Sequence, residues 1–233
     1  MLPGIARLTP TAGQALTDVL RDHTIDALLL RSMTEGPDDL RAPLSLTREA
    51  LYSDDPRAVA IRLFFCRVPV SESEATALLA NGLSEKLRTT GILLNSPPNS
   101  WTFPLHLRIV RGIYLFSDYL GDEPDAVMGA GETTALLYQA AGPPQPVGRV
   151  LDLGCGAGTL ALLLARGAAE VMATDINPRA VALGAFNAAI NRIPNVEFRT
   201  SDLFDAVTGR RFDLIVSQPR ATPSASARCP ART

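Results

Sequence analysis

The sequence predicts an α/β fold: an open parallel sheet with helical crossovers, preceded by a small, mainly helical N-terminal domain. Three observations carry this. Short apolar and β-branched runs at 150–153, 170–174, 196–199 and 213–217 read as strands, with helix-length segments at 159–166 and 178–193 between the first three. The first of these strands runs directly into Asp152-Leu-Gly-Cys-Gly-Ala-Gly158 and then into a helix, so its glycines fall in a tight βα turn. Upstream of about residue 120 the pattern is different, with apolar residues recurring at helical spacing.

Taken in order, 10–31 reads as one or two helices and 35–47, with Gly36, Pro37, Asp38, Asp39 and Pro43, as a loop. Helices are expected again over 57–67 and 71–90, the second with Ser71 as N-cap and Glu74 at capping-box spacing. A turn rich in proline and asparagine at 97–100 and β-prone residues at 101–104 and 107–116 follow. Helices leading into a short β-ribbon suggest a winged-helix-like N-terminal domain over 1–120; a plain packing domain is the alternative. Gly121, Gly129, Gly131 and the spacer from Gly142 to Pro146, with a helical run at 133–141, mark the entry to a second domain over 121–219.

With 233 residues, 46% of them hydrophobic, the chain can build one large core or two small ones. No window approaches ~18 uninterrupted apolar residues and the N-terminus lacks an apolar signal region, so no membrane association and a cytoplasmic location are expected. Cys66, Cys155 and Cys229 are odd in number and far apart, with only His23 and His106 to assist them, which argues against disulfides and a metal site. Cys155 reads as a small packing residue in the glycine turn. Residues 1–120 hold 11 Arg, one Lys and 13 acids, and 121–233 hold 10 Arg and 11 acids, so neither part offers the basic excess of a nucleic-acid binder.

The chemistry concentrates after the first strand of the sheet. The G-x-G-x-G spacing of Gly154, Gly156 and Gly158 differs from the G-x-G-x-x-G of dinucleotide folds, which disfavours an NAD-dependent enzyme. Asp152, just before the first glycine, would repel a pyrophosphate and welcome a cation such as the aminoacyl end of S-adenosylmethionine (SAM). Asp175 ends the second strand, where a carboxylate can accept both hydroxyls of a ribose; its alternative role is to cap the helix starting near Pro178. After the third strand, Asp202 can accept from an exocyclic amine and Leu203 or Phe204 can pack on an adenine, with a turn cap as the alternative for Asp202.

Residues 148–219 resemble the Rossmann-like SAM domain of class I methyltransferases, in particular the small methyltransferase group that modifies planar amide or amino nitrogens, of the release-factor glutamine and rRNA guanine type. The resemblance implies that Asp152, Gly154, Gly156, Gly158, Asp175, Asp202 and Leu203 bind SAM, and that the stretch from Asp125 to Thr134 lines its methionine end. It implies that the segment after the fourth strand clamps the target nitrogen through an Asn/Asp-Pro-Pro-aromatic motif. Here that segment is Ser217, Gln218, Pro219 and Arg220: Gln218 and the Pro219 carbonyl remain as acceptors, while the second proline and the aromatic are missing.

The group's sheet has seven strands and this sequence supplies four, so the sheet is expected to be incomplete at the C-terminus. Residues 220–233 contain no Leu, Ile, Val or Phe and read as a disordered tail. With one lysine beside 21 arginines pointing to a GC-rich gene, the last 14 residues are expected to be translated out of frame. The function implied is SAM-dependent methyl transfer to nitrogen of rRNA or tRNA, a protein glutamine or a small molecule. The competing reading is a catalytically inactive SAM-binding or partner-binding module.

Overall fold

A computed structural model describes residues 10–22, 53–96, 98–118, 125–142 and 147–218. The loop expected at 35–47, the boundary near 120, the proline-rich spacer, Pro219 and the tail lie outside these residues.

A four-stranded parallel sheet anchors the C-terminal part, its strands in the spatial order Val196–Thr200, Ala168–Asp175, Val147–Leu153 and Leu214–Ser217, that is β8-β7-β6-β9. Strand β6 (Val147–Leu153) is followed by α6 (Thr159–Leu164), β7 (Ala168–Asp175) by α7 (Pro178–Ile190), and β8 (Val196–Thr200) by a single 3-10 turn before β9 (Leu214–Ser217). Every residue of α6 is buried, as its sequence Thr-Leu-Ala-Leu-Leu-Leu dictates: apolar all round, it is stable only when enclosed. The parallel register sets Leu153 beside Thr174 and Ser217, so three strands end level at one edge. All connections at that edge carry the residues singled out above.

The N-terminal part begins with α1 (Pro10–Asp22). Helix α2 (Pro56–Ala60), capped by the Asp55 side chain, runs into a π-helical turn at 61–66 that ends at Arg67 with φ of 55°. The helix expected over 71–90 is two, α3 (Glu72–Leu78) and α4 (Leu83–Thr89), because Asn81 and Gly82 take left-handed conformations (φ 57° and 76°) between them. The capping box is present: Glu74 N–H donates to Ser71 Oγ (3.2 Å) and Ser71 N–H to Glu74 Oε2 (2.7 Å). Strands β1 (Val70–Ser71), β2 (Leu94–Ser96) and β3 (Ser100–Thr102) form an antiparallel sheet in the order β1-β3-β2. The β-prone run at 107–116 is a hairpin, β4 (His106–Val110) and β5 (Ile113–Ser117), turning on Arg111 and Gly112, both at positive φ.

The two parts share one core. Phe64, Phe103, Phe116 and Phe186 form a chain of ring contacts with centroids 5.0, 5.2 and 5.6 Å apart, running from the π turn through the hairpin to α7. Helix α1 packs on α7, where Thr17 Oγ1 donates to the Ile190 carbonyl. The outer edge of β5 is closed by two asparagines of that helix region: Asn187 exchanges hydrogen bonds with the N–H and C=O of Phe116 (2.9 and 2.9 Å), and Asn191 with those of Tyr114 (2.8 and 2.7 Å). Asn187 Nδ2 also donates to the Ala157 carbonyl (2.9 Å), linking hairpin, helix and glycine turn.

Candidate active site

Gly154, Gly156 and Gly158 all have positive φ (78°, 53° and 84°). The turn is pinned from below, where the Thr174 carbonyl accepts from Gly154 and Cys155 N–H (2.8 and 2.9 Å). At two positions the missing Cβ matters for space as well as conformation: on Gly156 it would lie 3.3 Å from the Met128 carbonyl, and on Gly158 3.0 Å from the Phe198 ring. A side chain at either position would press into the strap or into the Phe198 ring.

Asp175 stands at the tip of β7 beside it. Its Oδ2 accepts from Gly156 N–H and its Oδ1 from Asn177 N–H, both 2.9 Å, so the carboxylate is oriented before any ligand arrives. The cap of α7 is Asn177, whose Oδ1 accepts from Arg179 N–H (2.9 Å); Asp175 does not serve that role. Ser201 N–H donates to the Asp175 carbonyl (2.9 Å), bringing the end of β8 alongside. There Asp202 is exposed, Leu203 is held at φ of 44° and is 65% exposed, and Phe204 is 52% exposed.

Asp152 sits differently from the other acids. It is 1% exposed, and its Oδ2 accepts from Ala161 N–H (2.9 Å) in the first turn of α6. Burial, together with the nearby Asp175 charge, pushes its carboxyl up to about 7, against the lowering effect of that N–H. It lies beneath the turn and not on its surface. Cys155 is buried, and burial first, then the Asp152 and Asp175 charges, push its thiol well above the usual range, which removes it as a nucleophile.

A strap at 125–131 crosses the turn. Ala157 N–H donates to the Met128 carbonyl (3.4 Å), and the strap leads into α5 (Glu132–Ala140). Thr134 Oγ1 of α5 donates to Gln218 Oε1 (3.2 Å), while Ser217 Oγ donates to the Leu153 carbonyl (2.9 Å). Ser217 and Gln218 thus meet the glycine turn at the same edge; Pro219 is outside the described residues.

One residue of this edge, Ile176, escaped the sequence reading, and a second, Met128, was reached only as part of the stretch from Asp125 to Thr134. Ile176, next to Asp175, is 67% exposed and Met128 is 48% exposed, large apolar side chains left open around a polar turn. The available signal for Ile176 was an apolar residue between a strand-end acid and an Asn-Pro helix start. Among the described residues there is no group of His, Cys, Asp or Glu able to hold a metal, and no helix long and apolar enough to cross a membrane.

A carboxylate at the tip of the strand next to a G-x-G-x-G turn, on a β8-β7-β6-β9 parallel sheet, is the arrangement expected of a class I SAM-dependent methyltransferase domain. Residues 130–224 match the model of the methyltransferase small domain. The chain is 41% identical over 118 residues to the release factor glutamine methyltransferase of Escherichia coli, covering 49% of this chain and 42% of that protein. It is 47% identical over 73 residues to the Xylella fastidiosa protein of the same name, covering 30% and 26%. Among solved structures it is similar to a T. thermophilus 16S rRNA N2 methyltransferase in complex with AdoMet and guanosine, at 21% identity, covering 61% of this chain and 45% of that one, with a TM-score of 0.42. The chain spans less than half the length of these relatives.

Proposed function

We propose that this chain binds SAM at the C-terminal edge of its sheet and acts as a SAM-dependent methyltransferase on a planar nitrogen, with a protein glutamine amide as the acceptor. The observation that carries the reading is the preset Asp175 carboxylate, locked to Gly156 and Asn177 N–H groups beside a glycine cradle and flanked by exposed apolar side chains. The residues fit the cofactor from base to methionine. Asp202, Leu203 and Ile176 would hold the adenine, Asp175 the ribose hydroxyls, and Gly154, Gly156, Gly158 and the Met128 strap the aminoacyl end, with Asp152 beneath them tying the turn to the first turn of α6. When bound, SAM supplies an electrophilic methyl group on a sulfonium.

The chain's own part is to bind, orient and exclude water. Gln218 Oε1, already accepting from Thr134, keeps a second lone pair with which to receive an acceptor N–H. The choice of a glutamine amide is supported by the sequence likeness to glutamine methyltransferases. The N-terminal unit, read as winged-helix-like from its helix, strand, two-helix and hairpin order, is part of the same proposal as the portion that meets a macromolecular acceptor.

Calorimetry with SAM and S-adenosylhomocysteine, followed by mass spectrometry of a glutamine-containing peptide incubated with SAM, tests both halves. Binding with methylation is expected. Asp175→Asn should weaken SAM by about 2–3 kcal/mol, because an amide cannot accept at both of the carboxylate's positions. Failure of the wild-type chain to bind either nucleoside refutes the reading; binding without methylation refutes the activity alone.

A further inference from the structure

We propose that the Asp118–Arg179 ion pair is a positioning latch that holds the strap against the glycine turn and so sets affinity for the methionine end of the cofactor. This rests on the SAM reading above. Asp118 follows β5, Arg179 is the second residue of α7, and their side chains are only 15% and 14% exposed. The pair is two-pronged, Nη1 to Oδ2 and Nη2 to Oδ1. Neither residue belongs to the glycine turn or to a strand end of the sheet.

Both partners also grip the strap. Asp118 Oδ2 accepts from Val127 N–H (2.7 Å) and Asp118 N–H donates to the Val127 carbonyl (3.0 Å). The Asp125 carbonyl receives Arg179 Nη1 (3.2 Å) and Asn177 Nδ2 (3.1 Å). Two residues further on, Ser117 Oγ lies 2.5 Å from where a Cβ on Gly129 would stand, so the strap is seated closely on the end of β5. By contrast, its hydrogen bond to the turn, from Ala157 to Met128, is long at 3.4 Å. The strap is thus held more firmly from its flanks than by the turn it covers: by the latch and the Asp118 main chain at one end, and by Arg108 Nη1, which donates to the Ala130 carbonyl (2.5 Å), at the other.

The strand order says which end of the cofactor this affects. Asp202 and Leu203 follow β8 and Asp175 ends β7, whereas the strap and its helix touch the turn after β6 and Gln218 after β9. Base and ribose therefore lie towards β8 and β7, which the latch reaches only through Asn177, and the aminoacyl and methyl end lies beneath the strap that the latch holds directly. A loosened strap should penalise ligands that carry the methionine part and spare those that lack it.

The test compares wild type, Arg179→Met, Arg179→Lys and the exchanged pair Asp118→Arg with Arg179→Asp by calorimetry against SAM and 5′-methylthioadenosine, with thermal melts in parallel. Arg179→Met is expected to weaken SAM roughly ten- to a hundredfold, the worth of a charge-assisted hydrogen bond, and to change 5′-methylthioadenosine by less than about threefold. Arg179→Lys, one-pronged and charge-conserving, should fall between, and the exchanged pair should recover part of the loss. Equal losses for both ligands, or none for either, with a wild type that binds both, overturn the latch alone. A wild type that binds neither overturns the cofactor reading and the latch with it.

Discussion

Asp152→Asn separates what the buried acid costs the fold from what it gives the site. In the folded chain its carboxyl keeps a proton up to about pH 7, because burial disfavours the charged form, whereas the unfolded chain releases it near ~4. Between those values the folded state binds more protons than the unfolded one. The contribution of this group to stability is thus complete below about pH 4, lost progressively as pH rises, and gone above about 7. The gap corresponds to a penalty on the order of 4 kcal/mol at pH 8, or roughly 10 °C in Tm for a chain of this size.

His106 works in the opposite sense: burial first, then the charges of Arg108 and Arg67, push its imidazole down to about 4, so its contribution is gained as pH rises from about 4 towards ~6.5. The raw pH profile of the wild type sums the two. The difference between Asp152→Asn and wild type isolates the carboxyl, since the amide retains an oxygen for Ala161 N–H but does not titrate. Thermal melts of the ligand-free proteins from pH 4 to 8 should show the variant gaining on wild type by roughly 10 °C across the range. A difference that stays constant with pH would refute the burial argument, whatever the absolute stabilities.

Two further substitutions address the packing around the site. Asn187→Ala removes three hydrogen bonds to the backbone of Phe116 and Ala157 from a fully buried position, and urea denaturation should register a loss of about 3 kcal/mol or more; a loss below about 1 kcal/mol would mean that water replaces the amide. Gly184→Ala sets a methyl 2.3 Å from Cε1 of Phe198, with an expected cost of about 1–3 kcal/mol. A smaller ring-site residue, Phe198→Leu, should restore most of that, and no restoration would place the strain elsewhere.

Where the sequence was explicit, local chemistry was the reason. The capping box at Ser71 and Glu74, the glycine turn and the parallel strands all follow from neighbours in the chain, and the structure places each close to its expected position, the largest offset being three residues at the start of β6. The single helix expected over 71–90 failed where Asn81 and Gly82, a turn-forming pair, outweighed the helical period on either side. The depth of Asp152 was encoded more faintly: strand alternation puts it on the face of Val150, the face that α6 covers, so a reading of alternation alone would have buried it. Ile176 stayed hidden, and Met128 was reached only within a ten-residue stretch, because exposure of an apolar side chain is a property of what surrounds it. The latch was out of reach altogether, since Asp118 and Arg179 stand 61 positions apart and neither carries a motif.

The asparagine pair on α7 has a geometric meaning of its own. Four residues along an α-helix advance about 6 Å, close to the ~6.8 Å covered by two residues of a strand, so Asn187 and Asn191 present their amides at the repeat of a strand's outward-facing backbone groups. Tyr114 and Phe116 are paired as if a further strand lay beside β5. The helix is thereby a surrogate sheet edge, and it denies the hairpin to any other chain seeking a strand to join. It also joins the N-terminal hairpin to the same helix whose first turn supports Asp175 and Arg179. Amide exchange at Tyr114 and Phe116 should therefore slow when a nucleoside occupies the distant strand ends, making the hairpin a reporter of occupancy that touches no ligand.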